Sequence, residues 1–214
     1  MFNGSRLFPH FLAWVLVLAT TALAAPDAPS ATPSAREVIE TGSREVVAVL
    51  RDVTLSRSDK GREVSRLVEA RIDFDTLGRL AMGPAWRELS EAQRPAFLDA
   101  FKRHVLAVCV KGTERYGGQD VVVAADEAQP RGDWLVRTRV MGQKAGVERE
   151  VARLDFRLRQ QENRWQVIDL TIGGVSLAAG FRAQFQAIMK DGGPDRLLEL
   201  LAQKNDQNGP GPKP

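Results

Sequence analysis

Few side chains in this sequence could make or break bonds, and they are scattered. Beyond the first 24 residues there is a single histidine, His104, and the whole chain has one cysteine, Cys109. A histidine-based metal site needs three or four converging ligands, and none clusters near His104, which reads as a polar position on a helix. Cys109 lies in an apolar stretch with Lys111 as the nearest cation, so a buried structural thiol is a simpler reading than a nucleophile. A nucleophile elbow, a phosphate loop and a dinucleotide fingerprint are all absent. Paired carboxylates can work without histidine, and two pairs qualify. Asp73 and Asp75 flank Phe74, where helix N-capping explains them. Asp155 and Asp169 fall on facing strands. Asp169 is the odder, because it interrupts an apolar run where a carboxylate must be paired or shift its pKa. Arg153, Arg157 and Arg182 are the expected partners, and catalysis there would be lost in Asp169→Asn.

The elements that position these residues follow from periodicity. Residues 151–185, VARLDFRLRQQENRWQVIDLTIGGVSLAAGFRAQF, read as a hairpin running into a helix. Ala152, Leu154, Phe156 and Leu158 alternate with Arg153, Asp155, Arg157 and Arg159, the period-2 pattern of a strand with one apolar and one charged face. In the return arm Trp165 and Val167 are expected to point one way and Ile168, Leu170 and Ile172 the other, as in a strand covered on both sides. Gly173-Gly174 should break the strand, and Ser176 should cap a helix carrying Leu177, Phe181, Phe185 and Ile188.

Upstream, Ser34 and Glu37 form a capping box for a helix reaching about residue 55. SRSDKG, 56–61, reads as a turn before a short helix over 62–70. Gly83-Pro84 interrupts a helical repeat over 72–89. Ser90 and Gln93 form a second box ahead of a long helix with Phe97, Phe101, Val105 and Val108 on one stripe, and Pro95 in its second turn. Strands are expected at 121–124, 134–141, 147–159 and 164–172, joined by short turns. The RGD at 131–133 is one of those turns and not an adhesion motif. Gly192-Gly193-Pro194 precedes a last short helix over 195–203. Helices before and after an antiparallel four-stranded meander make an α+β fold, with the sheet packed against several helices.

Composition bounds the partners. Lys and Arg total 30 against 27 Asp and Glu, a net +3 with the charges interspersed, which argues against nucleic acid. Arg6, the apolar run 11–22 and Ala22-Leu23-Ala24 fit a signal peptide over 1–24. Residues 25–33 read as a disordered lead, 34–203 as one domain, and 204–214 as a disordered tail. With Arg6 removed, the mature charge is 29 minus 27, or +2. The expected localisation is the periplasm.

LDFRLRQQENRWQVIDLTIGGVSL (154–177), IDFDTLGRLAMGPAW, SEAQRPAF and RYGGQDV come in order over about 38–201. Together they resemble the MlaC family, also called the toluene-tolerance auxiliary family. Ile168 stands where that family often has Tyr, Gly173 replaces an acid common before Gly-Val-Ser, and the helix-opening proline is displaced. FRAQF keeps the family's aromatic-Arg-x-x-aromatic pattern. The resemblance implies a monomeric periplasmic phospholipid carrier, neither an enzyme nor a metalloprotein, with phospholipid as cargo rather than a cofactor. It implies exchange with an inner-membrane ABC transporter complex bearing a lipid-binding domain and with an outer-membrane lipoprotein-porin complex. Acyl chains would lie in a pocket between sheet and helices.

The physics agrees in kind. Exposing an acyl CH₂ costs about 0.8 kcal/mol, so two chains of ~16 carbons need a cover worth on the order of 25 kcal/mol. The candidate lining from the sheet is Trp134, Val136, Leu154, Phe156, Leu158, Ile168 and Leu170. From the helices and their lead-in it is Leu80, Phe97, Phe101, Val175, Leu177 and Phe181. Val175→Glu or Leu170→Glu should empty such a pocket. Arg137, Arg139, Arg157 and Arg159 could meet an acidic partner, or simply be solvated. A hopanoid cargo and a ligand-free interaction protein with a filled core are the alternatives.

Overall fold

The computed structural model describes residues 32–144 and 146–208. The expected signal peptide, most of the expected lead and residues 209–214 lie outside them. Among the described residues no helix is long and apolar enough to cross a membrane. In order the elements are α1 (Ala35–Arg51), α2 (Arg57–Glu69), α3 (Phe74–Met82), a 3-10 turn (Gly83–Glu88), α4 (Gln93–Thr113), β1 (Asp120–Ala128), β2 (Asp133–Lys144), β3 (Val147–Gln161), β4 (Arg164–Ile172), β5 (Val175–Ser176) and α5 (Leu177–Asn208). This is the expected α+β fold, with five antiparallel strands in the order β1-β2-β3-β4-β5 in place of four.

The helix starts are written in local hydrogen bonds. Ser34 and Glu37 exchange bonds as a capping box, and Ser90 and Gln93 do the same before α4. The Arg94 amide already donates to the Ser90 carbonyl, so Pro95, in the second turn after the Ser90 cap, forfeits the next bond, to the Glu91 carbonyl. Helix α2 starts five residues earlier than expected, since the Ser56 hydroxyl accepts from the Asp59 amide inside the apparent turn. Helix α5 kinks at Gly193, φ 67°, ahead of Pro194. Its last turns include residues 204–208, where the sequence suggested a tail, and Asn205 anchors them by donating to the Ala100 carbonyl.

Two hydrophobic clusters result. One is helical, built from α3, α4 and α5 around Leu77, Met82, Phe97, Phe101, Phe181, Phe185 and Leu197. Its rings interlock, with Phe101 and Phe181 edge to face at 5.1 Å and Phe97 stacked on Phe101 at 5.5 Å. The other lies where α1 meets the sheet: Ala35 and Ile39 against Val136, Leu158 and Val167. Ile72 packs against both, and its backbone neighbours clamp the β4 edge, with Val167 donating to the Arg71 carbonyl and Asp73 donating to that of Val167.

The opposite face of the sheet is charged and internally matched. Asp133 is 1% exposed, and its two oxygens accept from Arg157 and Arg159 on β3. Burial alone would raise its pKa, but the hydrogen bonds and charges of Arg159 and Arg157 prevail and hold it below the usual range. Such a group stabilises the fold above its unfolded pKa, and the contribution is lost as pH falls through the folded value. Asp133→Asn should therefore lower the urea-unfolding free energy at pH 7 by about 2–4 kcal/mol. Glu127→Gln, which breaks an exposed pair with Arg137, should cost under about 1 kcal/mol.

His104 is buried in the helical cluster, 5.7 Å ring to ring from Phe181, with no partner on Nδ1. It lies on the long helix α4, as expected. Burial first, and the Lys204 charge second, lower its pKa. The folded protein thus keeps a neutral imidazole that the unfolded chain protonates near 6.5. Its stabilisation is complete above that value and declines as pH falls below it. Urea midpoints should drop between pH 7 and 5 in the wild type, and this drop should flatten in His104→Gln.

Candidate functional site

Strand register decides which expected residues meet. Trp134, Val136 and Thr138 of β2 pair with Leu158, Phe156 and Leu154 of β3, so all six share one face. On the β3–β4 side Leu158 faces Val167, Phe156 faces Leu170 and Leu154 faces Ile172. Between Val167 and Asp169, Ile168 has no partner, which is a β-bulge. The bulge returns Leu170 and Ile172 to the face of Trp165 and Val167, contrary to the expected split. β4 is apolar on one side only.

Of the thirteen expected lining residues, Trp134, Val136, Leu154, Phe156, Leu158 and Leu170 form this continuous face. Ile168 is fully buried at the bulge. Phe97, Phe101 and Phe181 are core members of the helical cluster, and Leu80 and Leu177 pack against it. Val175 faces Ile172 across the β4–β5 turn and is exposed. The structure therefore assembles two apolar groups, one on the sheet and one in the helices. Sequence reasoning left Trp165, Val167 and Ile172 out of the sheet group, because the bulge hides their shared alternation. Thr138, also on this face and buried, meets its polar need by donating to the Leu154 carbonyl at 2.6 Å.

Coverage of the face is uneven. Helix α1 lies over β1, β2 and the start of β4. Leu154, Phe156 and Leu170 remain only half-buried, and Ile172 is 50% exposed. A separate cleft of about 740 Å³ opens between α1, the end of α2 and the β3–β4 turn. Its walls mix Val38, Val49, Leu67 and Trp165 with Glu37, Glu45, Arg66, Arg71 and Arg164. None of the thirteen expected residues lines it. Arg71 spans it, bonded to Glu45 and to the Leu67 carbonyl.

The potentially reactive groups are structurally committed. Asp169 takes none of its expected arginine partners. It accepts from the Ser176 hydroxyl at 2.6 Å and the Ala178 amide at 3.0 Å, while Ser176 accepts from the Ala179 amide. Together they cap α5. Arg157 is held by Asp133, and Arg182 donates twice to the Leu80 carbonyl. Asp73 caps α3 through the Thr76 amide. Burial pushes the Cys109 thiol up to about 11, leaving almost no thiolate at neutral pH. In the RGD turn the aspartate is the buried Asp133. The arginines once free to meet an acidic partner are matched within the sheet: Arg137 by Glu127, Arg139 by Glu150, and Arg157 and Arg159 by Asp133. Among the described residues no three His, Cys, Asp or Glu side chains are grouped to hold a metal ion.

The fold has known counterparts. The phospholipid-binding protein from Ralstonia solanacearum, solved in complex with a phospholipid, superposes with a TM-score of 0.70. The two are 25% identical, and the match covers 83% of this chain and 100% of that one. Residues 40–203, most of the chain, match the family described as MlaC protein. The chain is a member of the MlaC family.

Proposed function

We propose that this protein is a periplasmic phospholipid carrier, exported by the signal peptide expected at 1–24, and that it is not an enzyme. Its cargo moves between an inner-membrane ABC transporter complex and an outer-membrane lipoprotein-porin complex, which maintains outer-membrane lipid asymmetry. The observation that carries this reading is the family match joined to a relative that holds a phospholipid. The capping duty of Asp169 and the raised pKa of Cys109 support a binding role over a catalytic one.

The acyl chains lie in the layer between the sheet's apolar face and the helices. Leu154, Phe156 and Leu170 are their half-buried contacts. Trp134, Val136, Leu158 and Ile168 back that wall. Leu80, Phe97, Phe101, Leu177 and Phe181 form the helical wall, and Val175 stands at the rim. Half-buried leucines on a covered face are apolar surface awaiting a partner. The mixed lining of the 740 Å³ cleft suits two acyl chains less well.

Native mass spectrometry with organic extraction, on protein purified without detergent, tests the reading. A stoichiometric glycerophospholipid is expected, and a hopanoid would change the cargo. Wild type that stays empty after incubation with liposomes would overturn the carrier function. Leu170→Glu should fold and lose at least tenfold in bound lipid. Thr41→Trp, which fills the cleft, should retain it, and the reverse pattern would move the chains into the cleft.

A further inference from the structure

Exposed aliphatic side chains are concentrated at one end of the sheet, where β1 and β3 begin and β2 and β4 finish. Val147, Val151, Ile172 and Val175 are there on the side of the apolar face, each between 47% and 65% exposed, whereas Val122 stands opposite Arg139 on the charged face. Val53, 94% exposed, joins them, because Arg51 two residues earlier bonds Tyr116 and Asp120 at the start of β1. The other end of the sheet is polar, formed by Gln129, Arg131, Gln161, Glu162, Asn163 and Arg164. An isolated exposed valine needs no explanation, but a group of five toward one end of the same face does.

Two further features describe what this pole fits. Lys111, Arg115 and Arg149 are exposed beside it and have no side-chain partner among the described residues, against two acids in no ion pair, Glu148 and Asp52, the latter bonded to Thr54. The other charges there are spent on one another, Arg51 on Asp120, Arg57 on Glu114, and Arg139 and Arg153 on Glu150. The apolar pole also continues the proposed lipid face without a break, since Leu154 pairs with Ile172 and Ile172 with Val175.

We propose that this pole is a membrane-docking tip. The valine and isoleucine side chains enter the interfacial zone of a bilayer, while Lys111, Arg115 and Arg149 meet its anionic headgroups. Docking there sets the open end of the lipid face against the bilayer, so that chains pass between the two without crossing water. The inference rests on the carrier reading for its purpose but not for its test. Contacts of this size give weak, salt-sensitive, reversible binding, as a carrier that must leave again requires.

The test is flotation of the mature protein with vesicles of phosphatidylcholine alone and with 30% phosphatidylglycerol, as about the anionic content that sets a useful surface potential. Wild type should float with the anionic vesicles, and less so at high salt. Val53→Asp, Val147→Asp and Val151→Asp combined should reduce flotation at least tenfold. Asn163→Asp at the polar end should leave it unchanged. Lipid content, measured by native mass spectrometry on the same preparations, separates the two readings. Loaded wild type that never floats, or floats as well when carrying the three substitutions, overturns the docking tip and leaves the carrier standing. Loaded protein that ignores vesicles but binds a membrane-protein partner through these valines likewise overturns it.

Discussion

The bulge at Ile168 is the constraint on which the rest of the site depends. Before it, β4 places Trp165 and Val167 on the apolar face by simple alternation. Continued without the extra residue, that alternation would send Asp169 into the apolar layer and Leu170 and Ile172 to the charged side. A one-residue shift of register inverts every side chain beyond it. With Ile168 unpaired and buried, Leu170 and Ile172 extend the apolar face. Asp169 lands instead beside Ser176 and the first free amides of α5. One inserted residue thus completes the proposed lipid wall and also fixes the helix that begins the opposite wall.

What could be read from the sequence follows the range of the interactions involved. The alternation of β3 runs long enough to declare its faces, and both capping boxes are contained within four residues, so they are visible as strings. The bulge is not, because it exists only in the pairing of β4 with β3. Its cost to prediction was the misplaced faces of Leu170 and Ile172 and the wrong partner for Asp169. The strand β5 was hidden for a related reason. Gly173-Gly174 reads as a break, yet with φ of 57° and 88° the pair forms the tight turn that suits a two-residue hairpin. The helical lining residues were chosen correctly as apolar, but whether Phe97 and Phe101 face a ligand or one another depends on tertiary packing, and they stack together.

The charged face shows why counting arginines misleads. Four of them, Arg137, Arg139, Arg157 and Arg159, suggest a patch for an acidic partner. Cross-strand neighbours neutralise that patch within the sheet, with Glu127, Glu150 and Asp133 each engaged. Asp133 is the member that matters most to the fold, since its carboxylate is wholly buried and would be left to two arginines or to none. The face is therefore a stabilising device, and recognition has to be sought at the ends of the sheet, where charges lack partners.

A lipid carrier also has to release what it binds, and the two walls differ in a way that bears on this. The helical wall is an interlocked set of rings with Leu77, Met82 and Leu197 buried behind them. Such a close-packed cluster cannot deform without losing many contacts at once. The sheet wall presents leucines that are only half-buried, and among the described residues Ile72 alone packs against both clusters. In the proposed carrier the chains exchange a bilayer for a surface of similar apolarity, at about 0.8 kcal/mol per CH₂ in each direction. A deep, fully preformed cavity would hold them more tightly than transfer allows, so the incomplete cover over Leu154 and Leu170 fits reversible carriage better than a closed pocket would.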